Sequence, residues 1–157
     1  MQVVARLLDK GKIKGQTTDF HPERESFTID PEDGSLPVRV SVSDLKALYF
    51  VRSLDGNRDH QDHRRFKGQL AVRPKLWLEF RDGEQMAAYP VSPFLGRQGF
   101  YVLPTDLESN VEKAWVSRPS VRRLLEGGEA ERAAQRYQPP MTRPDSSSTW
   151  PRVVQLR

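Results

Sequence analysis

The chain has 157 residues, 36% of them hydrophobic and 29% charged, and its 25 Lys+Arg against 21 Asp+Glu leave a net charge of +4. That length suits one ordinary domain or two very small ones. No run approaches the roughly 18 apolar residues of a membrane helix, and Met1 leads directly into a patterned segment rather than a charged-then-apolar leader. The expectation is a soluble cytoplasmic protein with no membrane partner. With no cysteine, disulfides, thiolate zinc sites, iron–sulfur clusters and cysteine nucleophiles are excluded together.

Taken in chain order, residues 1–52 form a first β half with no net charge. Period-two alternation and β-branched or aromatic content predict strands at about 2–8, 12–20, 26–30, 37–42 and 46–52. Turns come from Asp9-Lys10-Gly11, Pro22 to Glu25, and Pro31-Glu32-Asp33-Gly34. A polar connector follows at 53–74; residues 53–75 hold a net +3, most of the basic excess. A pI near 9.6 that arises mainly from one loop is weak evidence for a nucleic-acid stripe, and a solvated loop is expected there.

Residues 75–125 read as a second β half, with strands at about 75–81, 84–91, 99–103 and 112–117. The stretch from Ser117 to Leu125 suits either a capped short helix or a strand. In the tail, 126–157, a short helix is predicted near 129–137, and the Pro- and Ser-rich remainder reads as disordered. Trp150 to Leu156 regain an apolar character that would suit a docking strand or a frayed end.

The two halves share a register. Asp9 and Asp82, Arg24 and Arg97, Phe27 and Phe100, Pro31 and Pro104, and Asp33 and Asp106 all stand 73 positions apart. At the same offset the apolar face Val3, Ala5, Leu7 falls on Leu76, Leu78, Phe80. Self-similarity at one offset points to a repeated unit. Two such units of about 50 residues are too small for independent cores, so they should pack together, as paired small barrels or one composite barrel or sandwich.

From Val4 to Ile29, the alternating apolar start, Asp9, Gly11, Gly15, Phe20 and Phe27-x-Ile29 resemble the first motif of Sm and Sm-like small β-barrels. The whole of 2–125 is similar to an uncharacterised bacterial family with an Asp-Gly-x-x-x-x-Gly half and a second half bearing Phe-x-x-x-Pro-x-Asp and Ser-Asn, here Phe100 to Asp106 and Ser109-Asn110. The resemblance implies a mainly β fold of two five-strand Sm-like or SH3-like halves packed together, and it brings no activity with it. Two departures stand out: Ala88 occupies the place of Gly15, and no second Sm motif is found near Leu45 to Val51.

Chemistry-bearing groups are sparse. His60 and His63, with Asp59 and Asp62, are of metal-ligand type but lack evident further partners, so no metal site or other cofactor is assigned. There is no Gly-x-Ser-x-Gly and no phosphate loop, and Asp9 and Asp82 suit hairpin turns better than catalysis. Arg118-x-x-x-Arg122 matches the arginine spacing of PilZ-type domains without that family's following signature. Trp77, Trp115, Tyr49, Phe50 and Phe100 could stack bases but fit strand cores better. The leading expectation is a non-catalytic adaptor or regulatory module with a protein partner. The alternative is RNA, nucleotide or cyclic-dinucleotide binding through Arg58, Arg64, Arg65, Lys67 and Arg73, with Arg118 and Arg122 in support. Self-association into homo-oligomers is left open by the unpaired strand edges.

Overall fold

The structure, a computed structural model, describes residues 1–66, 74–91 and 98–138. Among these, ten strands form one antiparallel sheet: β1 (Gln2–Leu7), β2 (Lys12–Gln16), β3 (Ser26–Pro31), β4 (Val38–Ser41), β5 (Leu45–Val51), β6 (Leu76–Phe80), β7 (Gln85–Pro90), β8 (Gly99–Pro104), β9 (Val111–Ser117) and β10 (Val121–Glu126). One helix, α1 (Gly127–Arg136), follows. The mainly β fold with a short C-terminal helix is therefore as the sequence predicts. The expected disordered tail, 139–157, lies outside the described residues.

Where helix and strand competed after Ser117, the chain makes a 3-10 turn at Arg118–Ser120 and then β10. Pairing with β6 decides the matter, because Leu124 and Leu125 lie opposite Leu78 and Trp77. The strand predicted over 12–20 stops at Gln16 because side chains take over the hydrogen bonds. Thr17 Oγ1 donates to the Thr28 carbonyl at 2.8 Å, and Asp19 Oδ1 accepts from the Thr28 N–H at 3.0 Å.

Strand order across the sheet is β10-β6-β7-β8-β9-β5-β1-β2-β3-β4. Each run of five strands has the same internal order, and the pairings correspond residue by residue. Gly15 opposite Pro31 becomes Ala88 opposite Pro104, 73 positions on. Phe27 opposite Val40 becomes Phe100 opposite Val116, which fixes a step of 73 for β3 to β8 and of 76 for β4 to β9. The hairpin turns agree too. Lys10 N–H donates to the Leu7 carbonyl at 3.0 Å and Gly83 N–H to that of Phe80 at 3.0 Å, with φ of 74° and 95° at Lys10 and Gly83. Asp9 Oδ1 accepts from Gly11 N–H at 2.8 Å, as Asp82 Oδ1 does from Glu84 N–H at 3.0 Å. Both are three-residue loops with the third residue left-handed, for which Asp before the positive-φ position is favoured.

The seam between the runs is β5 against β9, with Leu48 opposite Trp115 and Tyr49 opposite Ala114. β5 is buried along its entire length. Its alternate residues serve two cores: Leu48 and Phe50 join Val3, Ala5, Phe27, Ile29 and Trp115, while Ala47, Tyr49 and Val51 join Val4, Leu78, Phe80, Met86 and Val102. This two-sided burial explains why LKALYFV shows little alternation. Trp77, Trp115, Tyr49, Phe50 and Phe100 are all buried, as core residues. A third cluster sets Ala130 and Ala133 of α1 on Trp77, Ala87 and Leu125.

Candidate functional site

Among the described residues, two buried clusters of charged groups each join segments distant in sequence. The first lies beside the seam. A register shift between Arg6 and Leu7 bulges Lys46 out of the β1–β5 ladder, and its Nζ reaches Asp82 Oδ2 at 2.5 Å and Glu84 Oε2 at 2.7 Å in the β6–β7 turn. Arg6 adds a contact to Glu84 Oε1 at 3.3 Å. Lys46 and Glu84 side chains are only 5% and 6% exposed. Burial raises the Glu84 carboxyl above its ordinary value; at Asp82 burial is the largest single influence, but the hydrogen bonds from Lys46 and the Glu84 N–H together with the charges of Lys46 and Arg6 outweigh it, and the value is lowered. The pair couples the first run of strands to the second.

The second cluster is built by the connector on the β8–β9 loop. Asp106, just past β8, is its hub: Oδ2 accepts from His60 Nε2 at 2.8 Å and from His63 N–H at 3.0 Å, and Oδ1 accepts from Glu108 N–H at 2.9 Å. Asp62 accepts from Ser109 Oγ at 2.9 Å, with its Oδ1 3.5 Å from His60 Nε2. Thr105 Oγ1 donates to the His63 carbonyl at 2.9 Å. Side chains of Asp62 and Asp106 are 3% and 5% exposed. The hydrogen bond to Asp106 raises the His60 imidazole above its ordinary value, and burial raises Asp62. Asp106 itself is held low, since the donors from His63, Glu108 and His60 outweigh its burial.

The described part of the connector, 53–66, is thus not the wholly solvated loop expected from its composition: His60, Asp62 and Arg64 are drawn inward, while Arg58, Asp59 and Arg65 stay exposed. Arg64 turns inward over the Tyr137 ring, 4.1 Å from its centroid, and burial lowers its guanidinium to about 10. Phe66 packs on Tyr89 with ring centroids 5.5 Å apart. The sequence could not show this, because each partner lies more than 20 positions away.

The other basic candidates are dispersed. Arg58 and Arg65 are exposed on the connector, and Arg118 is exposed in the turn before β10. Arg122, exposed on β10, meets Glu79 Oε2 at 3.3 Å. Lys67 and Arg73 lie outside the described residues. His21 keeps to its own turn, its Nδ1 accepting from Glu23 N–H at 3.1 Å. His60 and His63 do come together, on Asp106; that residue entered the sequence reading only as a repeat landmark, and Glu108, Lys46 and Glu84 did not enter it at all.

Among the described residues, β4 and β10 end the sheet and each has one strand neighbour. Among the described residues no helix is long and apolar enough to cross a membrane. No curated protein and no solved structure gives a significant match to the chain. The pattern of a family of unknown function, DUF6982, matches residues 1–127, and the chain belongs to that family.

Proposed function

We propose that this chain is a non-catalytic binding module of the bacterial cytoplasm, two Sm-like or SH3-like halves fused edge to edge, that captures an extended protein segment by strand addition at β10. The observation that carries the reading is the seam. Inside the molecule, the fifth strand of the first run is completed by the fourth strand of the second, β5 by β9, whereas β10 occupies the same place in its own run and, among the described residues, ends the sheet. An added strand supplies main-chain hydrogen bonds for affinity and side-chain pockets for selectivity.

Chemistry favours β10 over the opposite edge. β4 has only four residues, follows Pro37 and displays Arg39, features that guard an edge against pairing. β10 has six residues, no proline, and exposed Arg122 and Arg123 near Arg118. The partner that fits is an extended segment carrying acidic residues. A nucleic-acid role receives less support, because Arg64 of the basic connector is engaged with Tyr137.

The test is peptide selection. Twelve-residue displayed peptides are selected on the full chain, and the winners are titrated against wild type and Arg123→Glu while amide exchange is followed. The expected result is acidic, alternately apolar peptides that protect 121–126 and lose affinity in the variant. The reading fails if protection maps elsewhere or if single-stranded RNA, with steep salt dependence, is the only saturable ligand. Concentration-dependent mass with the same protection would instead identify a second copy as the occupant.

A further inference from the structure

We propose that His60, Asp62 and Asp106 form a binding site for a divalent transition-metal cation, with Glu108 as the carboxylate behind the histidine ligand. The three donors, one imidazole nitrogen and two carboxylate oxygens, all lie within 4.8 Å of one another. His60 Nε2 stands 2.8 Å from Asp106 Oδ2 and 3.5 Å from Asp62 Oδ1. Around an ion with bonds of about 2.1 Å, neighbouring ligand atoms stand roughly 3.0–3.4 Å apart and opposite ones roughly 4.2 Å. The two spacings from His60 Nε2 lie close to that scale, and an ion would take the place of the His60–Asp106 hydrogen bond.

The surroundings support the same assignment. Metal-bound histidines characteristically present their second ring nitrogen to a carboxylate. Here Nδ1 of His60 faces Glu108 Oε2 at 3.6 Å. Each candidate carboxylate is oriented through its other oxygen: Ser109 Oγ donates to Asp62 Oδ2 and Glu108 N–H to Asp106 Oδ1, while His63 N–H donates to the ligand oxygen Asp106 Oδ2 itself. Their orientation is therefore set before any ion arrives, which lowers the ordering cost of binding. Two buried carboxylates side by side are costly unless their charge is compensated, and a dication between them would compensate both.

The ligand set selects the class of ion. One imidazole with two carboxylates suits manganese, iron or zinc better than calcium, which prefers six to eight oxygens, and far better than copper(I), which prefers sulfur. Three protein ligands leave the remaining positions to water. Because the ligands come from the connector and from the loop after β8, an ion here would fasten the two segments to each other.

The experiment is a titration of the full chain, stripped with chelator, with manganese chloride and separately with zinc chloride at pH 7, followed by calorimetry. One ion per chain with a Kd below about 10 µM is expected. His60→Gln and Asp62→Asn should each weaken binding at least tenfold, and Glu108→Gln by about tenfold or more, the usual effect of losing the carboxylate behind a histidine ligand. Glu112→Gln, an exposed carboxylate on β9, should leave it unchanged. Pulsed paramagnetic resonance of the manganese complex should show one imidazole nitrogen coupling that His60→Gln removes. Glu108 is exposed, so its variant tests the site even if Asp62→Asn folds poorly. Failure of both ions to bind stoichiometrically, or equal affinity in wild type, His60→Gln and Glu108→Gln, overturns the proposal and leaves the cluster as a proton-sharing clasp.

Discussion

Lys46 Nζ lies 2.7 Å from Glu84 Oε2, both side chains are almost fully buried, and the contact joins β5 of the first run of strands to the β6–β7 turn of the second. Buried charges repay their desolvation only when paired, so removing one partner is costly. Lys46→Met is expected to lose about 3 kcal/mol of unfolding free energy, because Glu84 keeps only Arg6 beside it. Adding Glu84→Gln to that variant should recover at least about 1 kcal/mol, since the orphaned charge is gone. Urea denaturation of the four proteins closes the cycle. Strictly additive losses would show that the two groups do not depend on one another.

The same pair gives stability a definite pH dependence. Burial, chiefly, raises the Glu84 carboxyl from its ordinary 4.5, with Asp82 adding to the effect and Lys46 and Arg6 opposing it. A carboxyl raised in the folded state binds its proton more tightly there than in the unfolded chain, so its contribution is complete below about 4.5 and lost as pH rises through the folded value. Wild type should therefore lose ground to Glu84→Gln as pH rises from about 4.5. Asp82 is lowered and works in the opposite sense, its contribution falling away only on acidification below its ordinary 3.8. Denaturation midpoints for both proteins across this range give the answer; parallel curves would refute it.

Gly15 is where the backbones of β2 and β3 crowd together. A Cβ there would overlap the Asp30 carbonyl and stand 2.8 Å from Ile29 Cγ2, and a backbone oxygen in a ladder cannot step aside. Gly15→Ala should cost on the order of 3 kcal/mol. Gly34→Ala provides the contrast: φ is +78°, but nothing lies within 4 Å of the new atom. Its penalty is conformational alone, about 1 kcal/mol. Thermal unfolding of the two variants should rank them in that order.

How far the sequence reveals this molecule depends on the range of the interaction concerned. Asp9-Lys10-Gly11 and Asp82-Gly83-Glu84 are local turns, and their chemistry is visible in the residues themselves. The strand alternation is likewise local, and β1 to β9 fall where it predicts them, apart from ends set by side chains such as Thr17 and Asp19. β10 is ambiguous because Leu124 and Leu125 satisfy a short helix as well as a strand until β6 is placed beside them. The β5–β9 seam is a choice among open edges that no local pattern encodes, so one continuous sheet cannot be told from two barrels. Asp106 shows the limit most clearly. Its partners His60 and His63 are 46 and 43 positions away, and a polar connector gives no sign that it will be buried on a loop so distant in the chain.

Arg64 and Arg65 are neighbours in sequence with opposite surroundings, and that difference bears on any binding experiment with the connector. Arg65 is exposed, so Arg65→Glu should change stability by no more than about 0.5 kcal/mol. Arg64 is half-buried, its guanidinium stacked over Tyr137 and its charge acting favourably on Asp62. Arg64→Glu would forfeit the cation–π contact, worth about 1 kcal/mol, and add a further carboxylate near Asp62, which already has Asp106 beside it. A loss of about 2 kcal/mol is expected, together with faster proteolytic cleavage within 58–66, because the inward-facing side chain anchors that stretch to Tyr137, the residue that follows α1. Denaturation and limited proteolysis of the two single variants measure both effects. Equal stability of the two would mean that Arg64 does not anchor the connector. If they differ as expected, only Arg65→Glu is a clean probe of connector charge, since ligand binding lost in Arg64→Glu would follow from loosening of the connector as readily as from loss of a contact.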